Sequence, residues 1–472
     1  MKKGLLAITV IMLSSITLLA QNEIDALRYS THNLSGTARY SAMGGAFGSL
    51  GGEFSSLSSN PAGIGMYQFA ELTFTPTFNL NSTTSYYNDS HLTSYKSEIS
   101  IGNLGLVFTI PQNNSDWKRI NLGIGWNQLA NYNNTIKIEG VNSKSSIVDR
   151  IVAITNGTLT GALTNGEGNS YSQMAWNTYL INPDSLDGEY LSNFSSNSKS
   201  QSKATKSIGG MNEFVFSIGG SYQEKIYIGA TIGIPTFEYY EYSEYTECEI
   251  SDTSNNLRKM LFSEEISAYG TGYNLKVGAI YRLSEKTKIG GSLHTPTFFS
   301  IEEDYNTSIT TFFKDSTLDY SMGYLTPFNY DLITPLKASI SASTVFNNLL
   351  ISAEYELIDY STAEYFTTDF ENENLTIESI YQRTENIKIG AEMTIKPFVL
   401  RAGYSKYGSA FVAKDFSREN FSYGIGINNG TYFIDVAYVL SQGENEHLLY
   451  SEAPISLVRT NHNLLLTLGF RY

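Results

Sequence analysis

After Ala70 the chain alternates apolar and polar side chains through roughly fourteen stretches of about ten residues, the length and period of a membrane-crossing β-strand. In Leu72-Thr73-Phe74-Thr75-Pro76-Thr77-Phe78-Asn79-Leu80 the apolar groups share one face and Thr or Asn the other. Ile120, Leu122, Ile124 and Trp126 alternate with Asn121, Gly123, Gly125 and Asn127, and Leu349, Ile351, Ala353, Tyr355 and Leu357 with Ser352, Glu354 and Glu356. Successive side chains of a strand point to opposite faces, so each stretch offers one face to lipid and one to a polar lumen. No stretch after residue 20 is long and apolar enough to cross a membrane as a helix.

The joints between stretches carry a second signal. Those near 223–225, 284–286, 347–348, 396–397 and 428–430 are short, and 111–119 is the longest of that set. By contrast 81–98, 130–211, 237–271, 302–332, 361–385 and 441–462 are long, with 408–419 intermediate. A soluble β-protein has no reason to sort its loops this way, whereas an outer-membrane barrel has short periplasmic turns and long outer loops. The expected fold is therefore all-β, a transmembrane antiparallel β-barrel of about 14 strands in the cell outer membrane, with both chain ends on the periplasmic side. On the last strand Leu464, Leu466, Leu468, Phe470 and Tyr472 share one face. An aromatic residue at the end of such a strand resembles the signal read by the outer-membrane assembly machinery.

At the other end Lys2 and Lys3 precede an apolar run from Leu5 to Ala20, and polar Gln21 follows. Residues 1–20 read as a secretory signal peptide. Gln21 in place of Cys excludes a lipid anchor on that residue. The 34 Tyr and 25 Phe supply interfacial girdles, and a formal charge of -15 argues against nucleic acid, which needs clustered Lys and Arg. Cys248 is the only cysteine, so no intramolecular disulfide forms. The five histidines are scattered and no Gly-x-Ser-x-Gly or His-Glu-x-x-His occurs, so the chain reads as a non-enzyme without metal or cofactor.

Residues 21–69 do not alternate, yet Phe47, Leu50, Phe54, Leu57, Ile64 and Met66 are more large apolar groups than a disordered linker carries. Irregular backbone is tolerated at membrane depth only inside protein or water, and a barrel this wide needs filling. Pro61 fixes its own φ and biases Asn60 toward an extended conformation, so Asn60-Pro61 is a defined turn. The segment contains Ala38-Arg39-Tyr40-Ser41-Ala42-Met43-Gly44-Gly45-Ala46-Phe47 and then Asn60-Pro61-Ala62-Gly63. In these motifs and their spacing it resembles the FadL-like (FadL/TodX) hydrophobic-substrate transporters of Gram-negative outer membranes. Tyr273-Asn274-Leu275-Lys276-Val277-Gly278 and Leu400-Arg401-Ala402-Gly403-Tyr404 are similar to later family strands. Where relatives often carry adjacent acids between the hatch motifs, this chain has Gly51-Gly52-Glu53.

The resemblance implies a monomeric barrel over 70–472 with 21–69 folded inside as a hatch. It also implies passive uptake of a hydrophobic small molecule, such as a long-chain fatty acid, through a wall bounded by lipid and lipopolysaccharide. One branch of the family implies a different role, a shuttle that carries secreted proteins to their attachment site in the type IX secretion system. For uptake, the expected ligand contacts are Phe47, Leu50, Phe54 and Leu57, with Lys276 or Arg401 for a carboxylate unless lumen acids such as Glu213, Glu354, Glu392 or Asp435 pair with them. Asn60 and Pro61 are the expected hatch gate. Gly123 and Gly125, if they leave space in the third strand, mark a lateral exit; if not, they make room for the hatch. In the longest loop Ser146-Ile147-Val148-Asp149 is a capping-box-like helix start, with Ile147, Ile151, Ile154 and Leu159 near one face.

Overall fold

Each alternating stretch forms a strand that pairs with its sequence neighbours, and the ladder closes on itself. The strands are β1 (Glu71–Tyr87), β2 (Ser90–Pro111), β3 (Trp117–Asn131), β4 (Lys199–Tyr222), β5 (Ile226–Glu249), β6 (Leu257–Arg282), β7 (Thr287–His294 continued by Phe298–Phe313), β8 (Phe328–Ile333 continued by Lys337–Phe346), β9 (Leu349–Asp359), β10 (Arg383–Ile395), β11 (Phe398–Tyr407), β12 (Arg418–Asn428), β13 (Tyr432–Leu448) and β14 (Pro454–Arg471). β1 pairs antiparallel with both β2 and β14, from Glu71↔Arg471 to Tyr86↔Ser456 in the latter case, which closes a fourteen-stranded barrel. The structure, a computed structural model, describes residues 23–113, 115–184, 186–194, 198–250, 256–323, 327–367, 370–450 and 454–472; the signal peptide expected over 1–20 lies outside them.

The alternation sorts as expected. Leu72, Phe74 and Phe78 of β1, Leu122 and Ile124 of β3, and Leu464, Leu466 and Leu468 of β14 are exposed on the outer wall, while Thr73, Thr75, Thr77, Asn121, Asn127 and Thr467 are buried inside. Aromatic pairs such as Trp117 with Tyr222 and Phe470 with Tyr472 mark the turn-side rim of the belt.

Three expectations need correcting. First, several long joints are strand. β1 and β2 meet in a hairpin at Asn88-Asp89, and β5 and β6 continue to Glu249 and from Leu257. Above the hydrocarbon both faces of a strand meet polar surroundings, so Ser, Thr, Asn and Tyr fill both. The hydropathy period vanishes while the backbone ladder persists.

Second, β7 and β8, where the alternation predicts unbroken stretches over 287–301 and 333–346, are each broken, at Thr295-Pro296-Thr297 and Thr334-Pro335-Leu336, because proline donates no ladder hydrogen bond. Third, the first described residues, expected near the periplasmic rim, are not there. Helix α1 (Glu23–Ser30) lies in the outer half of the lumen. There Tyr381 of the β9–β10 connection donates to the Glu23 carbonyl (2.9 Å), and Tyr29 stacks on Phe237 at 3.9 Å between centroids.

The β3–β4 connection forms a cap over the mouth. Ser146 and Asp149 do make a capping box for the helix Ile147–Thr155, and a second helix spans Ser170–Asn177. Ile147, Val148 and Ile151 pack with Met174, Tyr245, Met260, Phe262 and Ile309 into an apolar core above the membrane. Leu159, expected on the same face, lies beyond the first helix and is exposed.

Candidate functional site: the hatch and the seam beside it

The chain descends from α1 to Ala70, whose backbone pairs with Tyr472 at the turn-side rim, and residues 31–69 wind across the lumen. Thr37 N-caps the short helix Ala38–Ala42 and Asn60 N-caps the 3-10 helix Pro61–Met66. Asn60 is fully buried: its Oδ1 accepts from Ala62 N (3.0 Å), and its Nδ2 donates to the Gly48 carbonyl (2.5 Å) and to wall carbonyls of Ala279 and Gly291 (3.4 and 3.3 Å). The expected Asn60-Pro61 turn is thus a brace between two halves of the hatch and the wall.

Wall polar groups reach inward to hold this irregular backbone. Asn121 donates to the Ile64 and Tyr67 carbonyls (2.6 and 3.1 Å), Asn127 to Ser58 Oγ (2.9 Å), Ser292 to the Ser59 carbonyl (2.8 Å) and Lys288 to the Leu50 carbonyl (3.2 Å). The backbone N–H groups of Gly48 and Ala38 donate to Glu354 (2.8 Å) and to Thr467 Oγ1 (2.7 Å). Such satisfaction is required of backbone enclosed away from water.

Lys276 and Arg401 are not free to meet a ligand carboxylate. Lys276 is ion-paired with Glu213, which also accepts from Ser58 of the hatch (2.8 Å). Arg401 pairs with Glu392 (2.7 Å) and Asp435 (2.5 Å), and Glu392 also takes both Nε and a terminal nitrogen of Arg39 (2.8 and 3.0 Å). Lys388 bridges Glu354 (2.9 Å) and Glu356 (3.4 Å). The reason is desolvation: a charge facing an enclosed lumen is costly unless a partner meets it. Arg39, inside a motif that resembles the family's, thereby locks the hatch to the wall.

Nor do the four apolar hatch residues line one site. Phe54 and Leu57 pack with Ile64, Tyr67, Val107 and Val215, whereas Phe47 and Leu50 pack with Met43, Tyr40 and Leu350. Gly123 and Gly125 leave no empty space: a Cβ at Gly123 would lie 3.0 Å from Ile64 and 3.1 Å from Leu57, and one at Gly125 would lie 2.5 Å from the Phe54 ring. They make room for the hatch. Gly105, Gly229, Gly278, Gly290, Gly390, Gly403 and Gly424 do the same around the wall. Their shared place on the polar face of their strands is the sequence signal that marks the hatch footprint.

Glu53, which stands where relatives often carry paired acids, is buried and caps the turn Phe54–Ser58 by accepting from Ser56 N (3.0 Å) and from the Thr37 hydroxyl. Burial pushes its carboxyl up from 4.5 to about 7, against the pull of the Thr37 hydroxyl, the Ser55 backbone and Arg39, with Glu71 adding to the rise. A raised acid favours the hatch-in-place state most below pH 4.5, and that contribution is lost as pH climbs through about 7. Glu53→Gln is therefore expected to leave the denaturation midpoint unchanged at pH 5 and to raise it at pH 8. An equal shift at both pH values would contradict the argument.

Between β2 and β3 the wall has a weak seam that the sequence did not reveal. The β2–β3 ladder runs only from Asn103↔Asn127 to Pro111↔Arg119, although both strands continue outward, and the β1–β2 register shifts at Thr75/Pro76, opposite Gly102. Beyond Asn103 side chains replace the ladder: Asn103 donates to Asn127 (2.8 Å), Ser100 to Gln128 (3.3 Å) and Asn131 to Glu98. On the lumen side Thr77, Asn79, Gln128 and Asn131 border a cavity of about 40 Å³, room for a water or two. On the lipid side Phe78 and Ile99, paired across β1 and β2, stand exposed, so the seam lies at hydrocarbon height.

No sequence-family profile and no curated protein sequence matches the chain. Solved structures do. The toluene transporter TodX of Pseudomonas putida is 13% identical with a TM-score of 0.55, over 94% of this chain and 100% of its own. A Pseudomonas aeruginosa FadL homologue is 12% identical with a TM-score of 0.53, over 94% and 99%. CymD, a monoaromatic hydrocarbon channel, is 12% identical with a TM-score of 0.51, over 94% and 99%. Likeness at this identity is a likeness of fold, and here it spans hatch and barrel together. With its closed fourteen-stranded wall and the hatch braced inside it, the chain is an outer-membrane barrel of the FadL-like fold, as its two hatch motifs led one to expect.

Proposed function

We propose that the protein passes a hydrophobic small molecule, such as a long-chain fatty acid, from the outer surface into the outer membrane, and that the molecule leaves sideways through the β2–β3 seam. The observation that carries this reading is the interrupted ladder beside a lumen cavity. Where the ladder runs unbroken through the hydrocarbon belt, as in β4–β5 and β13–β14, a lateral exit would cost a run of strand hydrogen bonds, whereas here it costs a few side-chain contacts of about 0.5–1.5 kcal/mol each. The hatch blocks the straight route to the periplasm, so a sideways route needs no withdrawal of its ion-paired core.

The test is reversible closure of the seam. In a Cys248→Ser background, Ser100→Cys and Gln128→Cys joined through disulfides by a short bis-methanethiosulfonate are expected to abolish fatty-acid uptake by intact cells, and a thiol reductant that cleaves those disulfides is expected to restore it. Undiminished uptake through a fully cross-linked seam would remove the lateral route. Uptake unaffected by deletion of the protein, with secreted proteins failing to attach, would replace transport by the shuttle role.

A further inference from the structure

The outer wall carries a polar ledge unlike the rest of the belt. Two successive cross-strand rows of β4–β8 face outward there. The lower row is Asn212, Thr236, Thr271 and Ser300, ending on Asp331 of β8; the upper is Gly210, Glu238, Tyr269, Glu302 and Asn329. All but Asp331, which stands at its edge, line a depression of about 550 Å³. It lies where β5 carries Pro235 and loses two pairs with β6, and where Pro296 and Pro335 break β7 and β8. Behind it Phe237 is buried against Tyr29 of α1, so the floor is firm.

In the upper row Tyr269 stands between two carboxylates. Each lies one ladder spacing away, about 4.8 Å at the backbone. The ring is 55% exposed, and neither Glu238 nor Glu302 forms an ion pair among the described residues. Directly below, Phe214, Ile234, Tyr273 and Phe298 form an exposed apolar row, with Tyr273 and Phe298 stacked at 5.9 Å.

We infer that this ledge binds the sugar head of an outer-leaflet glycolipid. A pyranose has a C–H face that packs on an aromatic ring and a rim of hydroxyls that donate to carboxylates and exchange hydrogen bonds with amides. Tyr269 supplies the platform, Glu238 and Glu302 the acceptors on either side, and Asn212 and Asn329 the amides. The apolar row beneath places acyl chains where a lipid-anchored sugar carries them and a soluble sugar does not. The carboxylates of Glu238 and Glu302, with Asp331 at the edge, disfavour a phosphate-rich head and favour an uncharged one.

Native mass spectrometry of the whole barrel, released from detergent with equimolar dihexosyl diacylglycerol and phosphatidylethanolamine, tests this. The parent is expected to retain the glycolipid preferentially. Tyr269→Ala, and separately Glu238→Gln with Glu302→Gln, should reduce that adduct at least tenfold while leaving the phosphatidylethanolamine adduct, the heat-modifiable gel mobility and fatty-acid uptake unchanged. Unaltered glycolipid retention in both variants would overturn the site. So would a requirement for divalent cations, which would signal phosphate bridging, or equal binding of the free disaccharide, which would remove the lipid anchor.

Discussion

Gly278→Val is expected to open the barrel. A Cβ at this position would lie 1.9 Å from Asn60 Oδ1 and 3.3 Å from Ala62 N, so even a methyl group displaces the residue that braces the hatch. Losing the Asn60 cap costs about 0.5–2 kcal/mol. Leaving the enclosed Gly48 carbonyl unpaired costs about 1–3 kcal/mol more. The hatch then has no alternative seat, because Pro61 touches the wall at Gly229 and Gly48 touches it at Gly290. In planar bilayers the parent should show a closed baseline and the variant steps of a wide water-filled pore. Gly291→Ala, where the nearest atom to a new Cβ is 3.4 Å away, is the matched control and should stay closed. A closed baseline in Gly278→Val would mean that the hatch is not held through Asn60.

The second large effect concerns stability. Lys276→Met leaves Glu213 buried with only Ser58 (2.8 Å) and Asn274 (3.3 Å) to satisfy it. Removing one partner of a buried pair costs about 3–5 kcal/mol, mostly as the penalty of the orphaned charge. Adding Glu213→Gln removes that charge, so the double variant should regain most of the loss in denaturant midpoint. A double variant as unstable as Lys276→Met alone would show that packing, and not charge, sets the cost.

The barrel was legible because lipid on one side and a polar lumen on the other impose a period of two on every belt residue, as in Leu349–Leu357. The hatch was legible as a segment, from its motifs and its apolar residues. Its contacts were not, since they join positions 155 to 353 residues apart: Arg39 to Glu392, Ser58 to Glu213, Asn60 to Gly291. Lys276 and Arg401 looked available because a single strand shows a charge but not the strand that answers it. The outer extensions of β1, β2, β5 and β6 were hidden for the opposite reason, as water on both faces erases the period. The seam leaves no compositional trace, because Ser100, Asn103 and Gln128 read as ordinary lumen or interface residues.

The contact between Ala38 N and Thr467 Oγ1 sets an order of events. Thr467 also meets Thr75 Oγ1 at 2.8 Å, so the hatch, the first strand and the last strand share one hydroxyl. β1 and β14 are the one pair of adjacent wall strands among the described residues that are not consecutive in the chain, and their pairing is the step that seals the wall. A hatch tied to many wall strands by buried hydrogen bonds and by the Arg39–Glu392 ion pair is not threaded into a sealed cylinder through its rim. It must be folded against the nascent sheet first, and the sheet must wrap around it. Sealing then completes the bond at Thr467 only if the hatch is already home, which makes closure a built-in inspection of the cargo it encloses.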